Sequence, residues 1–229
     1  DGSVAGLSRY LWTRGLWLVV LEITVMRFAL HFRMSSQDPL LLIILVALGL
    51  SMVILAGLVH LPAPIVGAVG VAIVIGHNLF DPLRPADFGA LAPLWNLLHA
   101  PGVFVVGGLP VLAGYPVLPW AGLMAVGFAA GPVFDLDADR RRLLLTRTGV
   151  ALVAAFVVLR AINHYGDPSP WSAQASPVMT ALSFLRTTKY PPSLQFVLMT
   201  LGPVLLMLAW YERRPPADEL NERVRATWT

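Results

Sequence analysis

The chain has 229 residues, of which 57% are hydrophobic and 13% charged, with a formal net charge of +3 and no cysteine. A soluble domain carries about a quarter charged residues, so this composition, with a mean hydropathy of +0.72, implies an integral membrane protein. The lack of cysteine excludes disulfide frameworks, thiolate catalysis and cysteine-held zinc or iron–sulfur centres. The arginines stand at the ends of apolar runs and build no basic, aromatic groove, which argues against a nucleic-acid partner.

In chain order, residues 11–30 read as a first span carrying Arg14, Glu22 and Arg27. Intramembrane charges are functional candidates by default because lipid exposure is costly. Glu22 and Arg27 lie five apart, off the three-or-four spacing of facing helical pairs, so an ion pair with another span or snorkelling of Arg27 competes with a functional role. Residues 39–59 are long and apolar enough for a second span, since about 20 apolar residues cross the hydrocarbon core. After the Leu61-Pro62-Ala63-Pro64 reversal, residues 65–79 form a shorter third span, in which Gly67, Gly70 and Gly76 allow close helix approach. His77 and Asn78 close it, and His77 reads more readily as an interfacial hydrogen-bonder than as a catalyst.

Residues 81–114 break the apolar pattern and read as a long extramembrane or re-entrant segment. Such segments are uncommon unless functional. Here WNLLHAPG sets His99 in a turn, where a neutral imidazole is a candidate general base or a backbone hydrogen-bonder. The following VFVVGGLPVL suggests a short hairpin or an interfacial loop. Residues 115–134 give the fourth span, with Gly122, Gly127 and Gly131, and aromatic residues suited to an interface belt. DLDADRRR then ends in Arg140, Arg141 and Arg142, either a cytoplasmic retention signal or a bidentate partner for phosphate. Residues 143–162 cross again, with Arg160 near the end. Asn163, His164, Tyr165, Gly166 and Asp167 form a polar turn, in which Asp167 either orients His164 as a base or caps a local turn.

The stretch SFLRTTKYPPSLQFVLMTLGP from Ser183 opens a cationic, aromatic turn into the last span, residues 193–211. Proline suits a first helical position, so a helix is expected to begin near Pro192. Its free amides, beside Lys189 and Arg186, then offer an anion site, while the competing reading makes these residues headgroup anchors. ERRPPADELNERVRA beyond it reads as a solvated linker or surface helix. Placing the N-terminus inside puts Arg9, Arg14, Arg140, Arg141, Arg142, Arg147, Arg213, Arg214, Arg223 and Arg225 on the cytoplasmic face. Only Arg33, Arg84, Arg186 and Lys189 then remain outside, and this asymmetry sets the orientation.

Five stretches carry a family resemblance: TTKYPPSLQFVLMTLGP, WNLLHAPG, YPVLPWAGLMAVGFAAG, NHYGDPSPW and RGLWLVVLEITV. Together they resemble the bacterial membrane proteins related to the heparan-alpha-glucosaminide N-acetyltransferase catalytic domain, formerly a domain of unknown function. The resemblance implies an acyltransferase that passes an acetyl group from cytoplasmic acetyl-CoA through the membrane domain to an amino sugar or cell-envelope glycan. It also implies residence in the bacterial inner membrane. The family's acetyl-transfer histidine lies in an N-terminal segment that no residue here matches, so the chain is read as an internal fragment, inactive alone, with terminal spans and the insertion-directing segment elsewhere.

The expected fold is all-α: residues 1–229 as one integral membrane domain, a polytopic bundle of six spans. His99 and His164 are the catalytic candidates. Asn163, Tyr165, Arg186, Lys189 and Tyr190 are candidate acceptor-binding residues, with Asn163, Arg186, Lys189 and Tyr190 expected to line one extracytoplasmic pocket with both histidines. Arg140, Arg141 and Arg142 are candidate contacts for acetyl-CoA, and no metal site is read from the sequence. Membrane lipids and a glycan acceptor are the expected partners, with homo-oligomerisation open. A channel or transporter is the competing class, drawing on Glu22, Arg27 and Arg160.

Overall fold

A computed structural model describes residues 3–32 and 38–212. The expected outer Arg33 and the charged stretch from Arg213 onward lie outside the described residues. Among the described residues, four helices are long and apolar enough to cross a membrane: Ala63–Phe80, Val117–Asp135, Ala138–Ile162 and Leu194–Tyr211. They make the chain a mostly helical integral membrane protein. These four correspond to the third to sixth expected spans.

The first two expected spans are built differently. Helix α1 (Val4–Leu21) runs into a π-helical turn (Glu22–Met26) and then α2 (Arg27–His31). The π turn wraps the chain so that the Arg27 amide donates to the Glu22 carbonyl, five residues back. Arg9, Arg14, Glu22 and Arg27 keep this helix outside the apolar set. In the second, residues 40–42 form strand β1 (Leu40–Leu42), and α3 (Ile44–Leu58) covers only 15 residues. At 1.5 Å per residue that is about 22 Å, short of a ~30 Å hydrocarbon core.

Strand β1 pairs parallel with β3 (Leu109–Ala113), which pairs antiparallel with β2 (Gly102–Val106). The expected helical fold thus also carries one small three-stranded sheet. VFVVGGLPVL is a hairpin because Gly107 and Gly108 both adopt positive φ, 58° and 82°, as a two-residue turn matched to strand twist requires.

The remaining helices are α4 (Ala63–Gly76), α5 (Ala92–Leu98), α6 (Val117–Ala129), α7 (Ala138–Ile162), α8 (Pro177–Leu185) and α9 (Leu194–Tyr211). Packing runs through three helix pairs, α1 with α3, α4 with α6, and α7 with α9, with α3 also lying on α6. Each pair crosses at two facing glycines: Gly15 with Gly49, Gly70 with Gly122, and Gly149 with Gly202. Without hydrophobic attraction between helices in lipid, such close backbone approach supplies the packing that holds a bundle together. One core lies among Val74, Phe156, Leu194, Val197 and Leu198, and a second among Leu55, Val59, Val66 and Ala125. Ile65, Val71, Ile75, Val150, Val157 and Val158 are exposed, as the lipid-facing side of a membrane bundle must be.

Candidate functional site

Helix α4 tightens after Gly76 into a 3₁₀ turn, His77–Phe80, which turns His77 and Asn78 inward and leads to Asp81. The chain then folds back around Trp95. The Trp95 indole donates to the Leu83 carbonyl at 3.2 Å and stacks on Phe88 at 4.4 Å. This folding sets His99, at the end of α5, against Asp81: His99 Nε2 lies 3.1 Å from Asp81 Oδ1. Against an ionised carboxylate, which only accepts, Nε2 is the donor in this contact. The other carboxylate oxygen accepts from Asn78 Nδ2 at 2.9 Å, and Asn78 Oδ1 accepts from the Leu194 amide at 2.9 Å. Asp81 is thereby fixed between α4, α5 and the start of α9.

His77 lies edge-on to His99 with ring centroids 5.8 Å apart. It is 1% exposed, yet neither ring nitrogen closes a hydrogen bond, and His99 Nδ1 is likewise buried without a partner. The expectation that His77 is an interfacial hydrogen-bonder is therefore corrected. One donor atom each from His77, Asp81 and His99 fall within 4.8 Å of one another. A base, a proton donor or a cation ligand are all chemically open to this cluster. The sequence reading assigned no metal and took Asp81 for a turn residue. The available signal was His77 and Asp81 four apart at a helix end, one turn of the same face.

The turn before α9 is built for structure. The helix starts at Leu194, two residues after the expected Pro192, with Ser193 as its N-cap accepting from the Phe196 amide. The other first-turn amides are also taken: Leu194 by Asn78, Gln195 by the Gly166 carbonyl at 2.9 Å, and Val197 by the Ser193 carbonyl at 3.0 Å. No free donor remains there for an anion, which corrects that expectation. Asp167 does not orient His164. It accepts instead from the Ser169 amide, the Thr188 amide and hydroxyl, and the Ser193 hydroxyl.

Arg160, 1% exposed, ties the same region together. Its guanidinium donates to the carbonyls of Phe184 (2.8 Å), Ser169 (3.1 Å), Ser183 (3.1 Å) and Arg186, and to Gln195 Oε1 (3.0 Å). Asn163, in the left-handed conformation that ends α7, exchanges two bonds with the backbone of Trp171. Tyr165 donates to the Ile75 carbonyl, and burial raises its pKa above the ordinary tyrosine value.

The candidate residues thus divide. Apart from the three arginines at the start of α7, they lie at one end of the bundle, where α4 and α7 finish and α9 begins, but they form separate groups. His99 belongs to the buried cluster. His164 is exposed. Tyr190 bonds Tyr115 hydroxyl to hydroxyl at 2.8 Å with the Lys189 ammonium 5.3 Å from its ring centre. The Tyr115 hydrogen bond and the neighbouring Lys189 lower the Tyr190 pKa, while Tyr115, bonded to Tyr190, is raised. Arg186 lines an open groove of about 310 Å³ with Gln174, Met179 and Ser183.

At the opposite end, each of the three arginines has an acidic partner. Arg140 faces Asp137 at 3.3 Å, Arg142 faces Asp139 at 3.4 Å, and Arg141 pairs with Glu212 while donating to the carbonyls of Phe134 and Leu136. Arg141 therefore clamps the start of α7 to the end of α9. Comparison with protein-family models, curated proteins and solved structures finds no match to this chain.

Proposed function

We propose that the chain is part of a membrane-embedded acyltransferase that moves an acetyl group from acetyl-CoA to an amino sugar or cell-envelope glycan. The observation that carries this reading is His99, held by Asp81 through Nε2 with its Nδ1 lone pair left unpartnered. A base oriented in this way by a carboxylate can take the proton from an attacking amine. As the new N–C bond forms, the C–S bond of the thioester breaks and the thiolate of coenzyme A leaves. Lys189, Tyr190 and Arg186 stand at the same end of the bundle as acceptor-side polar groups. Arg140 and Arg142 each contact their aspartate through one nitrogen, which leaves the other guanidinium donors for coenzyme A phosphates.

This reading takes α1 with α2, and β1 with α3, as two further crossings, giving six spans in a bacterial inner membrane. It places the His99 end outside and the Arg141 end inside. No residue here matches the family's own histidine motif, and His99 is the base that this reading assigns. The transporter alternative drew on Glu22, Arg27 and Arg160, and all three are engaged in internal hydrogen bonds.

The test is transfer from labelled acetyl-CoA by the full-length protein in proteoliposomes, with glucosamine and crude envelope glycans as acceptors. Labelled acceptor that falls to background in His99→Ala supports the reading. Absence of both transfer and coenzyme A binding overturns it in favour of transport.

A further inference from the structure

We propose that His77, Asp81 and His99 bind a divalent first-row transition cation of the Zn²⁺ class. Their donor atoms lie within 4.8 Å of one another. Zinc bonds to imidazole nitrogen and carboxylate oxygen are about 2.0–2.2 Å, so donors sharing one ion stand roughly 3–3.5 Å apart. The 3.1 Å between His99 Nε2 and Asp81 Oδ1 already has that spacing. A small inward movement of the His77 ring completes the set.

A second observation points to a ligand independently of the clustering. His77 is 1% exposed with both ring nitrogens unpartnered, and His99 Nδ1 is also buried and unpartnered. Buried polar atoms are almost always satisfied, so such groups call for an explanation. The Pro192 backbone approaches His77 without closing a well-aligned bond. A cation in front of one His77 nitrogen supplies that ring's missing partner, with His99 ligating through Nε2.

The surroundings fit a metal centre. Asn78 holds the second oxygen of Asp81 and is itself held by the Leu194 amide, as outer partners orient ligating carboxylates. Phe80 and Trp95 wall the His99 ring at 6.3 and 5.0 Å. Two imidazoles and one carboxylate suit zinc and its neighbours better than magnesium or calcium, which prefer all-oxygen sites. Three protein ligands leave a coordination position open, the pattern of sites that bind a further molecule. The Asp81 side chain, 20% exposed against 3% for His99, marks the approach.

The proposal does not rest on the acyl-transfer reading, and it is tested by binding alone. With the ion held, His99 ligates through Nε2, its single ring proton passing to Nδ1 as the tautomer changes, so its role as base belongs to the metal-free protein.

The purified full-length chain in detergent is stripped with chelator, then titrated with Zn²⁺ against a chromophoric competitor and with Co²⁺ by visible absorption. One ion per chain and ligand-field bands of bound Co²⁺ are expected. Asn78→Ala should weaken binding about 10–100-fold, and His77→Gln by more than that. His60→Ala, at the other end of the bundle, should leave it unchanged. His77 makes no hydrogen bond that glutamine removes, so His77→Gln is expected to fold, and circular dichroism checks this. Substoichiometric Zn²⁺ without Co²⁺ bands in the wild-type protein overturns the proposal, as does wild-type affinity in folded His77→Gln.

Discussion

Replacing Gly70 by alanine tests the packing that positions the site. A Cβ at residue 70 would lie 2.6 Å from the Gly122 carbonyl oxygen, 2.8 Å from the Val126 amide nitrogen and 2.9 Å from Val126 Cγ2. Ordinary contact begins near 3.4 Å, and the first two atoms are backbone, which cannot rotate aside. The α4–α6 pair must therefore separate. Overpacking of this kind costs about 1–3 kcal/mol, offset by at most ~1 kcal/mol from alanine's better helix propensity. A net loss of about 1–2 kcal/mol is expected, or roughly 2–8 °C at this chain length. Gly57, inside α3 with nothing within 4 Å of its added Cβ, is the control. Gly57→Ala should be neutral or stabilising by up to ~1 kcal/mol. Both variants are compared by reversible unfolding in mixed detergent micelles. If Gly70→Ala unfolds with or after Gly57→Ala, the close-approach argument is wrong.

Arg160→Met leaves the carbonyls of Ser169, Ser183, Phe184 and Arg186 without their shared donor, and each unsatisfied buried group costs about 1–3 kcal/mol. Unfolding should come earlier by about 3 kcal/mol or more, with protease cleavage within residues 163–193 rising well before global unfolding. Unchanged protease resistance would refute the clamp. Glu22 Oε2 accepts from the amides of Ile43 and Val46 at 3.2 and 2.8 Å, so Glu22→Leu should lose a capping contribution of about 0.5–2 kcal/mol, and Glu22→Gln much less; equal losses would show that acceptance by the side chain is not what matters. In an alkaline ultraviolet titration, Tyr190 should ionise before the other tyrosines. The Tyr115 hydroxyl and then Lys189 stabilise its phenolate, so its folded pKa is below the unfolded one, while that of Tyr115 is above. Tyr190→Phe should remove the earliest step, and its persistence would assign the shift elsewhere.

Much of the site was illegible in sequence for reasons that lie in particular residues. His99 stood out because it sits in a polar turn after an apolar run, but its partner Asp81 is 18 positions earlier and resembles an ordinary turn residue. His77 looked like the end of a span. Its burial and lack of partners depend on α5 and α9 closing over it. The Pro191-Pro192 pair suggested a helix start with free amides, but Ser193 supplies the cap, and Asn78 and Gly166 take the remaining donors. Asp167 beside His164 suggested a dyad, whereas the carboxylate turns to Thr188 and Ser193 across 21 and 26 positions.

The sequence by itself determined what short-range chemistry controls. Sustained apolar runs must be helical in lipid because every backbone group has to be satisfied within the segment. Four of the six expected spans and the concentration of polar candidates in the 81–114 and 163–193 connections follow from that, while VFVVGGLPVL stays open in sequence between a hairpin and an interfacial loop. Only the tertiary structure decided how those connections meet. Strand β1 at the head of the second expected span pairs with β3, about seventy residues later, and one-dimensional hydropathy cannot distinguish that strand from a helix. The glycines on α4 meet those on α6, and this contact fixes how the helix pair crosses. Long-range hydrogen bonding by Asn78 then holds Asp81 against His99, and that of Arg160 gathers the 169–195 connection, because a buried polar group takes whichever partner the packing brings within reach.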